Sequence, residues 1–202
     1  MKTEIDAKTV KKLRDETGAG MMTCKKALAE NDGDYEKAIE SLKLKGLATA
    51  DKKASRSTNE GLIYSYIHTG NRLGIILEVK CETDFVARHE DFIALAKNIA
   101  MQIASNPDIE VVSPNDISES AKEEVRQFEG GKEDLQNKPE EIRNKIVEGR
   151  IEKSLKKQVL LDQEYIRDPS ITVDEYIKQV VGILGENIRV ARFTRYVLGE
   201  TD

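Results

Sequence analysis

The sequence predicts an α+β protein in which three short N-terminal helices precede a core of packed helices and a small antiparallel sheet. Apolar side chains recur every three or four positions over residues 6–46, which is typical of helices. The apolar period changes to two over residues 61–81, as in half-buried strands. Helical spacing returns after residue 84, and a β-branched, aromatic segment over 187–198 predicts a final strand.

Turn residues delimit the three N-terminal helices. Asp6 is suited to cap the first helix, and Gly18 to end it, because glycine tolerates the left-handed exit conformation. The turn at 31–34 makes Asp34 the cap of the third helix, which we expect to end at Gly46. These helices therefore predict a compact bundle of about 40 residues, a size that is small for independent stability.

A polar segment separates this bundle from the rest of the chain. Residues 48–59 lack apolar periodicity and are locally basic, which predicts a linker. We therefore predict a helical domain over 1–47 and an α+β core over 60–202. Within the core, residues 105–139 hold three of the four prolines and a short helix, which indicates a connector.

The core begins with a predicted hairpin. Residues 62–68 supply one strand, and a turn at 69–71 leads into a second strand whose apolar side chains alternate with other residues. After a strand-to-helix corner, a helix carries an apolar stripe that includes Phe92. Pro139 is suited to open a long helix, and residues 172–175 form a capping box before another one.

Composition narrows the classes of function. The chain has 202 residues, 32 Lys+Arg and 37 Asp+Glu, and its formal net charge of −5 argues against a general nucleic-acid binder. The longest apolar run, residues 73–77, is too short for a membrane span, and the charged N-terminus does not resemble a signal peptide. The two cysteines, Cys24 and Cys81, provide neither a disulfide framework nor a zinc cluster.

Few residues suit catalysis. His68 lies beside a predicted turn and His89 lies in a charged run, so we expect both to be solvated. The glycines of residues 18–20 follow a helix and lack the lysine of a phosphate-binding loop. Three carboxylates share one face of the second strand and its extension, which we interpret as a water-facing edge: Glu78, Glu82 and Asp84. We therefore expect no enzymatic activity, no cofactor and no metal site.

Two apolar positions are more informative than the polar residues. Met21 and Met22 stand together after a glycine loop, where we expect one to face the bundle core and the other to be exposed. Phe85 occupies the strand-to-helix corner. Its spacing of seven residues from Phe92 favours the core, whereas a corner favours projection into solvent.

Several segments resemble the translation elongation factor Ts family. They are residues 13–28 (LRDETGAGMMTCKKAL), 82–88 (ETDFVAR), 147–150 (VEGR), 168–173 and 195–200. They occur in the order of that family and span most of the chain. The resemblance implies a ubiquitin-associated-type helical domain, an α+β core, and a guanine-nucleotide exchange factor that binds elongation factor Tu.

The resemblance also implies roles for individual residues. Arg14, Met21 and Met22 match positions that dock on a helix of the GTPase. A second segment matches the one that dislodges the Mg²⁺ bound with the nucleotide: Thr83, Asp84, Phe85 and Val86. We expect Asp84 to accept backbone N–H bonds at a helix start and so to orient Phe85.

The chain resembles the short form of the family, because a second core half is absent between the first core helix and the long helix. Short members can pair, so we expect a homodimer. We expect no direct contact with nucleic acid or membrane, and a location in a bacterial cytoplasm or in the stroma of a plastid that encodes the protein.

Two other interpretations stay open. One is a ubiquitin-associated-type interaction module on an α+β scaffold with a different protein partner. The other is a ribosome- or RNA-binding protein, which would depend on cations of the linker and the last strand: Lys52, Lys53, Arg56, Arg189, Arg192 and Arg195.

Overall fold

The computed structural model describes residues 5–132 and 139–200, so residues 133–138 of the predicted connector lie outside the described residues. The helices are α1 (Ala7–Thr17), α2 (Met21–Glu30), α3 (Tyr35–Lys53), α4 (Asp84–Ala87), α5 (Glu90–Ser105), α6 (Glu119–Gly130), α7 (Glu140–Gln158) and α8 (Val173–Leu184), with a 3₁₀ turn at Pro114–Asp116. The strands are β1 (Glu60–Ile67), β2 (Leu73–Cys81), β3 (Glu164–Tyr165), β4 (Asp168–Thr172) and β5 (Arg189–Val197).

The three predicted N-terminal helices form around one apolar cluster, although the Asp6 side chain makes no capping hydrogen bond at the start of α1. Gly18 ends α1 with a φ of 67°, and the Asp34 side chain caps α3 by accepting from the Lys37 amide. The cluster has seven buried members: Val10, Leu13, Cys24, Ala27, Leu28, Ala38 and Leu42. Burial of their apolar surface stabilises the bundle.

The predicted end of α3 at Gly46 is wrong. The helix continues to Lys53, and Ala50 is buried on its extension. The close packing at Gly46 depends on Gly182 of α8, where a Cβ would lie 2.9 Å from the Gly46 Cα, whereas a Cβ on Gly46 itself would meet open space. Residues 48–53 of the predicted linker are therefore helical, while the division of the chain into domains stays a prediction.

The sheet has the order β1-β2-β5, with β2 in the centre. The predicted alternation of β2 is confirmed, because Ile75, Leu77, Val79 and Cys81 are all buried. The stripe predicted for the following helix is confirmed too, and its members are buried on α5: Phe92, Leu95, Ala96, Ile99 and Ile103. Helices combined with small antiparallel sheets confirm the α+β class.

The fold contains a second sheet that the sequence did not predict. Strands β3 and β4 pair antiparallel, with Glu164 opposite Thr172 and Tyr165 opposite Asp168. β3 has two residues and β4 contains Pro169, so neither shows a periodic pattern. Proline is tolerated there because a two-stranded sheet consists of edge strands.

The described residues group into two compact units. The first comprises residues 5–63, 79–96 and 175–189, and the second comprises residues 64–78, 97–132, 139–174 and 190–200. The first unit holds the N-terminal helices and the strand-to-helix corner. Among the residues that the structure describes, no helix has the length and apolar character needed to cross a membrane.

Candidate functional site

The corner between β2 and α5 projects one aromatic side chain. We call Thr83, Asp84, Phe85 and Val86 the corner segment. Thr83 has extended backbone angles and is the N-cap of α4, a four-residue helix that begins at Asp84. Phe85 is 80% exposed, whereas Phe92 is fully buried. The competing core interpretation of Phe85 is therefore wrong, because α4 ends at Ala87 and the two rings do not share one continuous helix.

Glu186 holds the start of the corner segment. Its Oε2 accepts from the backbone N–H groups of Glu82 at 3.1 Å and Thr83 at 3.0 Å. Its Oε1 accepts from the Thr83 hydroxyl at 2.6 Å. A carboxylate that accepts several hydrogen bonds makes stronger ones than a neutral acceptor, so Glu186 restrains the backbone two residues before Phe85.

The side chain of Glu82 in turn contacts the backbone next to Glu186. Glu82 Oε1 accepts from the Asn187 backbone N–H at 2.7 Å, and the Arg56 guanidinium lies 3.5 Å from both Glu82 oxygens. The Asn187 side-chain amide donates to the carbonyls of Ala54 at 3.3 Å and Arg56 at 2.8 Å. The corner is therefore tied both to the residues after α8 and to those after α3.

The expectation that Asp84 accepts backbone N–H groups is wrong. The cap is Thr83, whose hydroxyl accepts from the Val86 N–H at 3.4 Å. Asp84 instead pairs with Arg88 one turn later, at 2.8 Å. The physical reason is the position of the helix start: Asp84 is already the first helical residue, and a capping side chain belongs to the residue before it.

Cys81 also contacts the backbone at the start of the corner segment. Its thiol donates to the Thr83 carbonyl at 3.1 Å. Burial raises the pKa of the Cys81 thiol to about 11, and the Glu186 carboxylate adds to the rise. The thiol is therefore neutral at physiological pH and acts as a packing and hydrogen-bonding group rather than as a nucleophile.

The methionine pair begins α2. Met21 is 43% and Met22 is 76% exposed, so the expectation that one of them faces the bundle core is wrong. Both lie in the first turn of the helix, where the core positions begin only at Cys24. Arg14 is exposed on α1. Two flexible apolar side chains on a surface are typical of a protein-binding site.

Helix α8 connects the N-terminal helices to the corner segment. A Cβ on Gly18 would lie 3.2 Å from the Ile183 side chain, and Lys178 pairs with Asp51 at 2.8 Å. Lys53 donates to the carbonyl of Gly185, the residue before Glu186. One short segment after α8 therefore contacts both α3 and the corner.

The residues weighed for catalysis do not assemble into a site. His68 and His89 are exposed. Glu78 pairs with Arg192 at 2.7 Å, and Glu82 is engaged as described above. Over residues 5–132 and 139–200, no group of three His, Cys, Asp or Glu side chains is placed to hold a metal ion.

Most of the cations on which the RNA interpretation depends have partners within the protein. Arg189 donates to the Thr58 hydroxyl at 2.8 Å. Arg195 donates to three carbonyls of the second unit, those of Ile103, Asn106 and Pro107. Lys53, Arg56 and Arg192 have the partners given above.

The sequence did not predict a role for Glu186 or Asn187. They lie about 100 residues from the corner segment along the chain, and no local spacing links the two. Gly185, with its φ of 76°, follows the last residue of α8. That ending places a carboxylate next to the corner, but the pairing itself depends on the tertiary fold.

Comparison with known proteins assigns the family. The sequence profile described as Elongation factor TS matches residues 4–200. The chain is 81% identical over 202 residues to "Elongation factor Ts, chloroplastic" of Phaeodactylum tricornutum, with both chains covered completely. It is 58% identical over 200 residues to the chloroplastic protein of that name from Rhodomonas salina, covering 99% of this chain and 91% of the relative. Over 197 residues it is 60% identical to "Elongation factor Ts" of Synechococcus elongatus, covering 98% and 89%. The chain therefore belongs to the elongation factor Ts family.

Proposed function

We propose that this translation elongation factor binds elongation factor Tu in its GDP-bound form and accelerates GDP release. The observation that carries the proposal is Phe85, an aromatic side chain that is 80% exposed on a backbone held by Glu186. Holding a large apolar ring in water gains nothing for the fold of this chain. The exposed ring suits insertion into a partner protein.

The mechanism is a coupling between two binding sites. The ring of Phe85, inserted beside the Mg²⁺ site of the GTPase, favours a conformation that holds Mg²⁺ and GDP poorly. Linkage then requires GDP to weaken the binding of the factor by the same ratio. No bond of a substrate is made or broken by this chain, so the protein acts as a binding factor and not as an enzyme.

The backbone of the corner segment is already held in place before the complex forms. Glu186 and the Thr83 hydroxyl fix the backbone before the complex forms, so little conformational freedom is lost on binding. Asp84 and Val86 belong to the same turn of α4 and hold Phe85 through the backbone. We assign the whole corner segment to displacement of the partner's Mg²⁺.

The exposed residues of the N-terminal helices supply affinity. Met21 and Met22 offer adaptable apolar surface, and Arg14 offers a cation on the neighbouring helix. We propose that these three side chains dock on a helix of the GTPase. Docking at one place and insertion at another separates affinity from exchange, which makes the two roles measurable independently.

We also propose a homodimer built on the exposed face of the sheet. Buried side chains of β2 point to one face, so the exposed Ile76 lies on the other. Ile67 lies 3.2 Å from the position of a Cβ on Gly74, and Tyr196 is exposed on β5. An apolar sheet face of this kind suits a second copy of the same face. Light scattering should give twice the 22.7 kDa chain mass, and Ile76→Glu should give the monomer.

Two of the relatives named above are chloroplastic and the third is from the cyanobacterium Synechococcus elongatus, which supports a location in a plastid stroma or a bacterial cytoplasm.

Release of a fluorescent GDP analogue from elongation factor Tu tests the proposed function. The chain should accelerate release in proportion to its concentration until the partner is saturated. Unchanged release, with binding retained, would instead support an interaction module of the ubiquitin-associated type.

A further inference from the structure

A charged pocket between α6 and α7 belongs to neither surface described above. Its volume is about 390 Å³, within the range of small-molecule sites. The six lining residues are all polar: Glu129, Lys132, Arg150, Lys153, Ser154 and Lys157. We propose that this pocket binds a small phosphorylated compound that also carries a hydroxyl or amino hydrogen-bond donor.

The charge of the pocket is opposite to that of the chain. Four cations and one carboxylate give the lining a formal charge of +3, whereas the whole chain carries −5. Arg150, Lys153 and Lys157 recur at intervals of three and four, so they lie on one face of α7. Like charges at this spacing repel each other, and a bound anion would relieve that repulsion.

Glu129 places a second, independent requirement on the ligand, which is a hydrogen-bond donor. Its side chain is 9% exposed, and its Oε1 accepts from Lys132 at 2.7 Å. Its Oε2 is buried and has no hydrogen-bond partner among the described residues, since Arg150 lies 3.9 Å away. An unsatisfied buried acceptor is costly. Turning this carboxyl group toward the pocket would let a donor from the ligand satisfy it, which a bare anion cannot do.

These two requirements define the ligand class. Lys and Arg side chains are typical phosphate ligands, and Ser154 adds a hydroxyl at the same face of the helix. The polar lining and the cationic charge disfavour apolar and cationic compounds. A phosphate ester of a hydroxylated compound, such as a sugar phosphate, provides both the anion and the donor.

Ribose 5-phosphate is a suitable probe for titration into the full chain by isothermal calorimetry, without elongation factor Tu. Two control compounds are titrated in the same way. Ribose lacks the phosphate, so the comparison with ribose measures what the phosphate contributes to affinity. Sulfate is an anion without a hydrogen-bond donor, so the comparison with sulfate measures what the donor contributes. We expect Lys153→Gln with Lys157→Gln to weaken ribose 5-phosphate binding at least about tenfold. Lys156→Gln removes one positive charge, half of what the double variant removes, from an exposed α7 position outside the pocket, and should change the affinity less than about twofold.

Glu129→Ala separates the site from a non-specific cationic surface. It removes a negative charge, so sulfate should bind better. It also removes the acceptor, so the ratio of ribose 5-phosphate to sulfate affinity should fall at least about fivefold.

Three results would overturn the proposal. The first is the absence of ribose 5-phosphate binding up to about 10 mM at low salt. The second is an equal loss of affinity in the Lys156→Gln control. The third is lysine-dependent binding of a single-stranded RNA oligonucleotide without binding of ribose 5-phosphate, which would make the pocket part of an RNA surface. The binding of ribose 5-phosphate, ribose and sulfate can be compared on the wild-type chain alone. A folding defect in one variant therefore leaves this test intact.

Discussion

Glu186→Ala tests whether the corner segment must be held for exchange. The change removes the acceptor of three hydrogen bonds, two from backbone N–H groups and one from the Thr83 hydroxyl. Glu186 is half-buried, so each bond contributes about 1 kcal/mol, below the value for a fully buried charged pair, and together they contribute about 3 kcal/mol. If about 2 kcal/mol of this positions Phe85, exchange at saturating factor should slow about 30-fold.

The assay separates positioning from folding. The exchange rate is measured at saturation, affinity by titration, and stability by thermal melting. We expect affinity to fall less than about threefold, because the methionine pair is unchanged. Thr83→Ser keeps the hydroxyl that donates to Glu186 and should retain exchange, whereas Thr83→Val should lose it. Glu40→Ala, which removes an exposed carboxylate from α3, is the matched control. Wild-type exchange at saturation in Glu186→Ala would refute the reasoning, as would a loss of exchange fully accounted for by unfolded protein.

Other predictions address affinity, packing and pH. Met22→Ala should weaken elongation factor Tu binding about tenfold without lowering the melting temperature, while Leu44→Ala, at another exposed apolar position, should leave binding unchanged. Gly182→Ala should destabilise the chain by about 1–3 kcal/mol in thermal melting because its Cβ would meet the α3 backbone; Gly149→Ala, with open space around it, should stabilise the chain by about 0.5–1 kcal/mol. The raised pKa of Cys81 favours the neutral thiol in the folded state, so its stabilisation is complete below the ordinary thiol pKa of 9.0 and is lost as pH rises through about 11. Between pH 9.0 and about 11 the melting temperature should therefore fall less in Cys81→Ala than in the wild-type chain. An identical fall would contradict the conclusion that the Cys81 thiol causes this loss of stability.

Local patterns predicted most helices and the main sheet of this fold. The alternation of β2 and the stripe of α5 follow directly from burial on one face, so period alone identifies them. Asp34 and Gly18 mark helix ends because their chemistry satisfies the backbone there. The prediction failed at Gly46, since a glycine that ends a helix and a glycine inside a helix are identical in a single sequence.

The candidate site was predicted only in part. Phe85 and the methionines stood out because large apolar side chains occupied a corner and a loop. The groups that hold the corner did not, because Glu186 meets Glu82 and Thr83 only after α8 has packed. The assignment of the cap to Asp84 failed by one residue, which is the usual uncertainty of helix boundaries.

GDP release from elongation factor Tu at saturating concentrations of wild-type chain and Phe85→Ala tests the central claim most directly. Removal of an exposed ring should change stability by less than about 0.5 kcal/mol. We expect Phe85→Ala to bind the partner and to melt like the wild-type chain, and yet to release GDP far more slowly. Full exchange activity in Phe85→Ala at saturation, or a defect that matches a fall in melting temperature, would contradict the proposed mechanism.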